Sequence, residues 1–373
     1  MDKDLMRYKT KNSHSFGSDY GPPEEEAVLR VLRNGAPTCD QETKRFGEEF
    51  AAFCGARFAF PVSSCVGGLH LALLAAGLQP GDEVLVPAMT FRATANVPDV
   101  QGYRVVFVDC RETFNIDPDR IEEKITDRTR AIMPVHVCGQ PCQMDEILAM
   151  ARKHKLVVIE DAAHAAGAAY RGKPVGSLSD FAAFSFQQSK NMSTLGEGGM
   201  VTTNDEACAY RIKDLRSNGE GGLNYRLTDI QSAAGRIQLQ KLPAFIEARA
   251  HNAHFFREQL ADVRGVTIPD IIPNVKHSWH LCNVLVDEEI TGLSRDRLIE
   301  VLDRDYGIRC ITQYSPPVHL QTYYRRKYNH REGDFPVAEK LARRVVTLPI
   351  CPRMTLPDLE YCVDSIKKVL AGG

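Results

Sequence analysis

The chain has 373 residues, 46 basic and 48 acidic side chains, a net charge of −2, 43% hydrophobic residues and 25% charged ones. That balance excludes a disordered chain and offers no bulk attraction to nucleic acid or anionic lipid, so neither partner is expected. Eleven scattered cysteines read as reduced thiols, and without an apolar leader or a run of about 18 apolar residues the expectation is a cytoplasmic protein with no membrane span.

Residues 1–23 are polar, close on Gly21-Pro22-Pro23, and read as an arm. Residues 24–33 open with three acids and stop before Asn34-Gly35, the order that suits a helix dipole. A second helix is expected over 42–53, before Gly55. The chain then alternates. Val- and Ile-rich runs at 58–62, 83–86, 105–109, 131–137 and 156–159 are separated by helical patterns at 68–76, 94–101, 118–124 and 144–154. Continuous apolar strands between helices predict a mostly parallel sheet covered on both faces. Two more strands follow at 182–185 and 200–203, the second after the turn Gly196-Glu197-Gly198-Gly199. A long helical tract after Asp229 runs through 238–260, and beyond Pro269 the pattern changes to strand, helix, strand, helix. The expected fold class is therefore α/β, with an arm (1–23), a large domain (24–245) and a smaller C-terminal α+β domain (246–373).

Several chemistries fail on their motifs. No G-x-G-x-x-G, Walker loop or G-x-S-x-G elbow occurs. His136, Cys138 and Cys142 match no zinc spacing, so no metal is expected and core or pocket lining is the reading. The informative stretch is 157–205. An apolar strand there ends in Glu160-Asp161, and Lys190 follows the next strand on a short polar turn. Alone, the acid reads as a turn or cap residue and the lysine as surface charge.

Together they fit pyridoxal 5′-phosphate, which needs a lysine for its aldehyde, an acid against its ring nitrogen and donors for its phosphate. Those donors are sought where a strand turns into a helix over Val62-Ser63-Ser64-Cys65-Val66-Gly67-Gly68-Leu69-His70, because a helix start presents free N–H groups to an anion. Phe91 is the candidate to stack on the ring, with a core Phe as the alternative.

From about residue 22 to 370 the chain resembles the DegT/DnrJ/StrS family of sugar aminotransferases. The blocks that carry the resemblance are GDEVLVPAMTFRATANV, NIDPDRIEEKITDRTRAIMPVHVCGQPCQMD, EDAAHAAGAAYRGKPVGSLSDFAAFSF, the GEGG turn, NYRLTDIQSAAGRIQL, PPVHLQTYY and the run from Phe335-Pro336 to Pro349. The resemblance implies fold type I of the pyridoxal phosphate transferases, with a mostly parallel seven-stranded sheet between helices. It assigns the Schiff base to Lys190, the ring-nitrogen acid to Asp161, the ring-hydroxyl contact to His164 (usually Gln) and a phosphate contact to Ser185. The phosphate turn, usually Ser-Gly-Thr, reads Ser64-Cys65-Val66 before Gly67, and Val66 brings no hydroxyl.

The resemblance also implies a homodimer with shared sites, in which Asn224 reaches the neighbouring subunit's phosphate and Arg226 faces substrate. Gln187, Gln188 and His319 are the further substrate candidates. Related dehydratases carry His in place of the lysine, whereas here Lys190 is present.

The implied reaction moves an amino group from L-glutamate or L-glutamine to a keto group. The acceptor is a nucleotide-linked keto sugar or, because amides such as Gln187 and Gln188 suit a neutral polyol, a keto-cyclitol. The pair resembles the turn of cyclitol-type relatives. A catalytically idle regulatory protein of the same fold and another pyridoxal phosphate reaction, dehydration or epimerisation, are the alternatives.

Overall fold

The computed structural model describes residues 19–35, 37–219 and 221–372. Most of the expected arm lies outside the described residues. Pro22 and Pro23 belong instead to the first turn of helix α1 (Pro22–Arg33), where proline's fixed φ is tolerated. Helix α2 (Gln41–Cys54) ends on Gly55 in a left-handed conformation.

The large sheet is built from β1 (Phe58–Val62), β2 (Glu83–Pro87), β3 (Arg104–Val108), β4 (Thr129–Ile132), β5 (Val157–Asp161), β6 (Phe181–Ser185) and β7 (Gly199–Thr203). Their order is β1-β7-β6-β5-β4-β2-β3. All pairings from β3 through to β6 are parallel, whereas β7 runs antiparallel to both β1 and β6. Helices α3 (Cys65–Ala76), α4 (Arg92–Val100), α5 (Met144–His154) and α6 (Glu206–Arg216) connect the strands. β2, β6 and β7 are buried along their whole length, which explains their unbroken apolar runs.

Two expected elements differ. Residues 118–124 form two three-residue 3₁₀ turns, Pro118–Arg120 and Glu122–Lys124, with Asp117 capping the first. The strand expected over 131–137 stops at Ile132. Pro134 has no N–H for the ladder, and Cys138 takes a positive φ of 60°.

Helix α7 (Asp229–Leu260) starts on a capping box between Thr228 and Gln231. Its Leu239, Leu242 and Ile246 pack with Phe46, Phe50 and Phe184, while Ala253, Phe256 and Leu260 enter a second core with Leu302 and Leu359. The expected boundary at 245 thus falls within one continuous helix. The smaller unit is a three-stranded antiparallel sheet, Val266–Thr267, Cys282–Val286 and Val345–Leu348, flanked by helices Arg295–Tyr306 and Leu356–Ala371. All eleven cysteines are free, and all but Cys39 and Cys208 are buried. Among the described residues, no helix is long and apolar enough to cross a membrane.

Candidate active site

The strand register gathers one edge of the sheet. β5 ends in Asp161, which pairs with Ala183 of β6, and β6 ends two residues later at Ser185. Gly199, the first residue of β7, faces Ser185 on one side and Val62 on the other. The chain leaving β1 therefore turns against the same edge. A Cβ on Gly199 would stand 2.6 Å from the Ser64 carbonyl carbon and 2.7 Å from the Cys65 nitrogen, so the position admits only glycine.

Ser64 caps α3, its Oγ accepting the Gly67 N–H at 3.1 Å. The helix starts three residues earlier than its sequence pattern suggested because this cap, with small residues behind it, carries the first turn. The Cys65 and Val66 N–H groups then lie in the first turn without intrahelical partners, at the positive end of the helix dipole. Gly68 lets α3 settle on the sheet: a Cβ there would meet the Ala183 Cβ at 3.3 Å. Val66 is 47% exposed and has no hydroxyl to offer. With the Ser64 hydroxyl engaged in the cap, Ser185 supplies the hydroxyl at this edge; its Oγ accepts a long 3.4 Å bond from the Gln187 N–H.

Asp161 is buried, with Oδ2 accepting from Thr94 Oγ1 at 2.7 Å and Oδ1 from the Ala163 N–H at 3.1 Å. Burial raises its pKa, and the two donors with the nearby charges of Lys190 and His136 work in the opposite direction. Lys190 is half-buried on the turn after β6, its N–H bonded to the Gln187 carbonyl at 2.8 Å. Desolvation pushes its ammonium down to about 8 against the opposing pull of Cys65, Asp161 and Glu197. Since burial also holds the Cys65 thiol well above its ordinary value, the anionic charges facing Lys190 are the two carboxylates. The arrangement can present a neutral amine beside an acid in a water-poor pocket.

These groups fit pyridoxal 5′-phosphate: a helix start and a hydroxyl for the phosphate, a buried acid for the ring nitrogen and a depressed lysine for the aldehyde. Phe91 is 52% exposed at the mouth, its ring centroid 6.3 Å from that of Tyr314. His164 is buried, with Nδ1 accepting the Cys138 N–H at 3.3 Å and Nε2 bonded to the Tyr314 hydroxyl at 3.2 Å. Asn224 is exposed at a positive φ of 51°, and Arg226 is half-buried, bridged through its backbone to Val62.

One substrate candidate is corrected, and a second is committed in part. His319 is fully buried: the Val318 N–H bonds to the Ala88 carbonyl and turns the next ring inward, onto Phe335 at 4.6 Å and Glu339 Oε1 at 3.2 Å. Gln187 closes its own turn, its Oε1 accepting from the Ser189 N–H at 2.8 Å and Ser189 Oγ at 2.6 Å. Gln188 remains exposed. The His136 ring is likewise committed, to Glu160 Oε2 at 2.7 Å and to the Cys142 N–H at 3.0 Å.

Sequence reasoning missed Thr90, Thr94 and Tyr314. The threonines had a faint signal, an i,i+4 pair beside Phe91, and their hydroxyls meet at 2.9 Å. Tyr314 had none, because it arrives from the smaller unit.

Residues 19–367 match the model of the DegT/DnrJ/EryC1/StrS aminotransferase family. The chain is similar to the dTDP-3-amino-3,4,6-trideoxy-alpha-D-glucose transaminase of Streptomyces venezuelae, 37% identical over 353 residues, covering 92% of this chain and 91% of that one. Its structure is similar to that of S. venezuelae DesV in complex with a ketimine intermediate, at a TM-score of 0.88 and 37% identity over 93% of this chain and 94% of that one. It is also similar to the PLP form of Spr1654, a putative sugar aminotransferase of Streptococcus pneumoniae, at a TM-score of 0.88 and 27% identity over 96% and 98% of the two chains.

Proposed function

The chain belongs to the DegT/DnrJ/EryC1/StrS aminotransferase family, as a pyridoxal 5′-phosphate-dependent sugar aminotransferase, and we propose that it moves an amino group from L-glutamate or L-glutamine to a keto group of a nucleotide-linked keto sugar. The cofactor, when bound, supplies the carrier for the amino group and the ring that takes up electrons.

The chain's own residues divide the remaining work. The Cys65 and Val66 N–H groups and Ser185 Oγ hold the phosphate. Asp161 accepts at the ring nitrogen. Lys190 Nζ, whose ammonium is pushed down to about 8 so that a fraction of the amine is neutral at physiological pH, would in that form take the proton from the donor's α-carbon and deliver it one position along. In the second half the same amine returns a proton to the acceptor carbon.

The observation that carries the acceptor class is an open cleft of about 840 Å³ lined by Arg92, Asn96, Asp99, Ser315, Gln321 and Tyr323 among others, with the Asp99 carboxylate already paired to Lys327 at 2.7 Å. Arg92 packs over the Phe91 ring at 5.8 Å, and no described carboxylate pairs with it. A cation, amides and an exposed aromatic ring suit a nucleoside diphosphate. The relative from S. venezuelae that acts on a dTDP sugar supports the same reading. A keto-cyclitol needs no such cleft, and the Gln187 oxygen that favoured it is already bonded to Ser189.

The active unit in this proposal is a homodimer in which Asn224 and Arg226 complete the neighbouring site. Exposed Leu195 and Leu223 near these segments support it. The test of the acceptor is competition: thymidine or uridine diphosphate at millimolar levels slows the second half-reaction. Failure to slow it, together with consumption of the aminated cofactor by a keto-inositol, overturns the nucleotide-sugar reading.

A further inference from the structure

The hydrogen-bond directions around His164 fix where the proton of Tyr314 can go. His164 Nδ1 faces the Cys138 N–H at 3.3 Å, a group that can only donate, so Nδ1 carries no proton. The opposite tautomer would set two N–H groups head to head. In the neutral ring the proton is therefore on Nε2, which donates to Tyr314 Oη at 3.2 Å. Burial keeps the ring neutral, holding its pKa well below the ordinary value, and nearby Lys190 acts in the same direction.

The Tyr314 hydroxyl thus accepts from behind, and its own hydrogen must leave in another direction. His164 and Tyr314 lie with their rings 10° from parallel and 6.2 Å apart, and His280 backs His164 at 4.3 Å. The exposed Phe91 ring lies 6.3 Å from that of Tyr314. The charged and titratable groups that face Tyr314 are Cys138 and Asp161, and those that face His164 are Lys190 and His280. No described residue accepts the Tyr314 hydrogen, and Asp161, the acid of the cofactor site, is the carboxylate that faces it. The segment itself is braced: the Ser315 N–H bonds to the Thr312 carbonyl, Asn283 Nδ2 to the Gln313 carbonyl at 3.5 Å, and Ile311 bridges to Thr347 of the small sheet.

We propose that Tyr314 donates its hydroxyl proton to an oxygen bound in the site, and that His164 is the positioning residue that turns this hydroxyl outward. The ring oxygen of the cofactor and a hydroxyl or keto oxygen of the acceptor share the required chemistry. His164 then has no proton left for the ring-oxygen contact expected of it from the sequence, and a residue from the smaller unit takes that place. The inference rests on the cofactor site proposed above but not on the identity of the acceptor.

The test compares Tyr314→Phe, His164→Leu and His164→Gln as cofactor-loaded proteins, reading first the pH midpoint of the bound cofactor's absorbance change with no substrate present. A donor to the ring oxygen lowers that oxygen's basicity, so Tyr314→Phe raises the midpoint by about one unit. His164→Leu shifts it the same way, and His164→Gln stays near the parent because an amide N–H can still donate to Tyr314. An unchanged midpoint with an acceptor KM raised about tenfold in Tyr314→Phe and His164→Leu assigns the proton to the acceptor oxygen and supports the proposal equally. Tyr314→Phe keeps the ring and its packing, so it remains informative where His164→Leu fails to fold. Parent values of both quantities in Tyr314→Phe overturn the proposal. A folded His164→Leu that behaves as the parent, beside a shifted Tyr314→Phe, overturns the positioning role.

Discussion

Thr94 Oγ1 donates to Asp161 Oδ2 at 2.7 Å, from the first turn of a helix that follows a different strand. Thr90 meets Thr94 at 2.9 Å, so two hydroxyls line up behind the acid. The carboxylate that we propose faces the ring nitrogen is thereby held in one orientation. Its burial raises the pKa and these donors favour the charged form, which a cationic ring nitrogen bound there would favour further.

Asp161→Asn keeps the shape and removes the charge. Turnover is expected to fall at least a hundredfold, equivalent to about 2.7 kcal/mol of transition-state stabilisation. Thr94→Val leaves the charge and loosens its aim, with a loss of about three- to tenfold. Steady-state rates of the two variants check the order; near-parent turnover of Asp161→Asn places another acid at the ring.

Lys190 titrates near about 8 because desolvation disfavours its ammonium form. Only the neutral amine captures an aldehyde. Below that value the rate of cofactor capture by cofactor-free protein rises about tenfold per pH unit, and above it the rate levels off. Stopped-flow absorbance between pH 6 and 10 reads the midpoint. A midpoint near 10.5, the ordinary lysine value, shows an amine that is still solvated.

Much of the site was legible because its chemistry is local in sequence. Asp161 and Lys190 lie within one alternating stretch, where strand ends predict a shared edge. The α3 start was readable only in part: Ser64 and the two glycines marked a strand-to-helix turn, but the pattern set the helix three residues late because the Ser64 cap carries its first turn. Tyr314 was not: the smaller unit carries it in, and no periodicity encodes that contact. His319 misled because residue type says nothing of direction. One turn of backbone drives His319 into the core, and one serine occupies the Gln187 amide oxygen while leaving its N–H groups available. The strand ending at Ile132 rather than at 137 follows from Pro134, visible in the sequence but outweighed there by the apolar run.

Asn224 carries the dimer proposal to a direct assay. Its backbone N–H bonds to the Ser217 carbonyl at 3.2 Å, and its side chain stands exposed with no described partner. Lys190→Ala and Asn224→Ala proteins are each expected to be impaired. Mixed under subunit-exchange conditions, they regain up to one good site per heterodimer, measured as recovered turnover. Full activity in a monomer, or no recovery after exchange, counts against shared sites.

Lys190 is the residue on which the whole account turns. Borohydride reduction of the cofactor-loaded protein, followed by proteolysis and mass spectrometry, locates the amine that holds pyridoxal 5′-phosphate. The account predicts the reduced cofactor on the peptide that contains Lys190, and no label there in Lys190→Ala, which retains its fold and loses turnover. Label on Lys173, Lys213 or any other lysine of the native protein contradicts it.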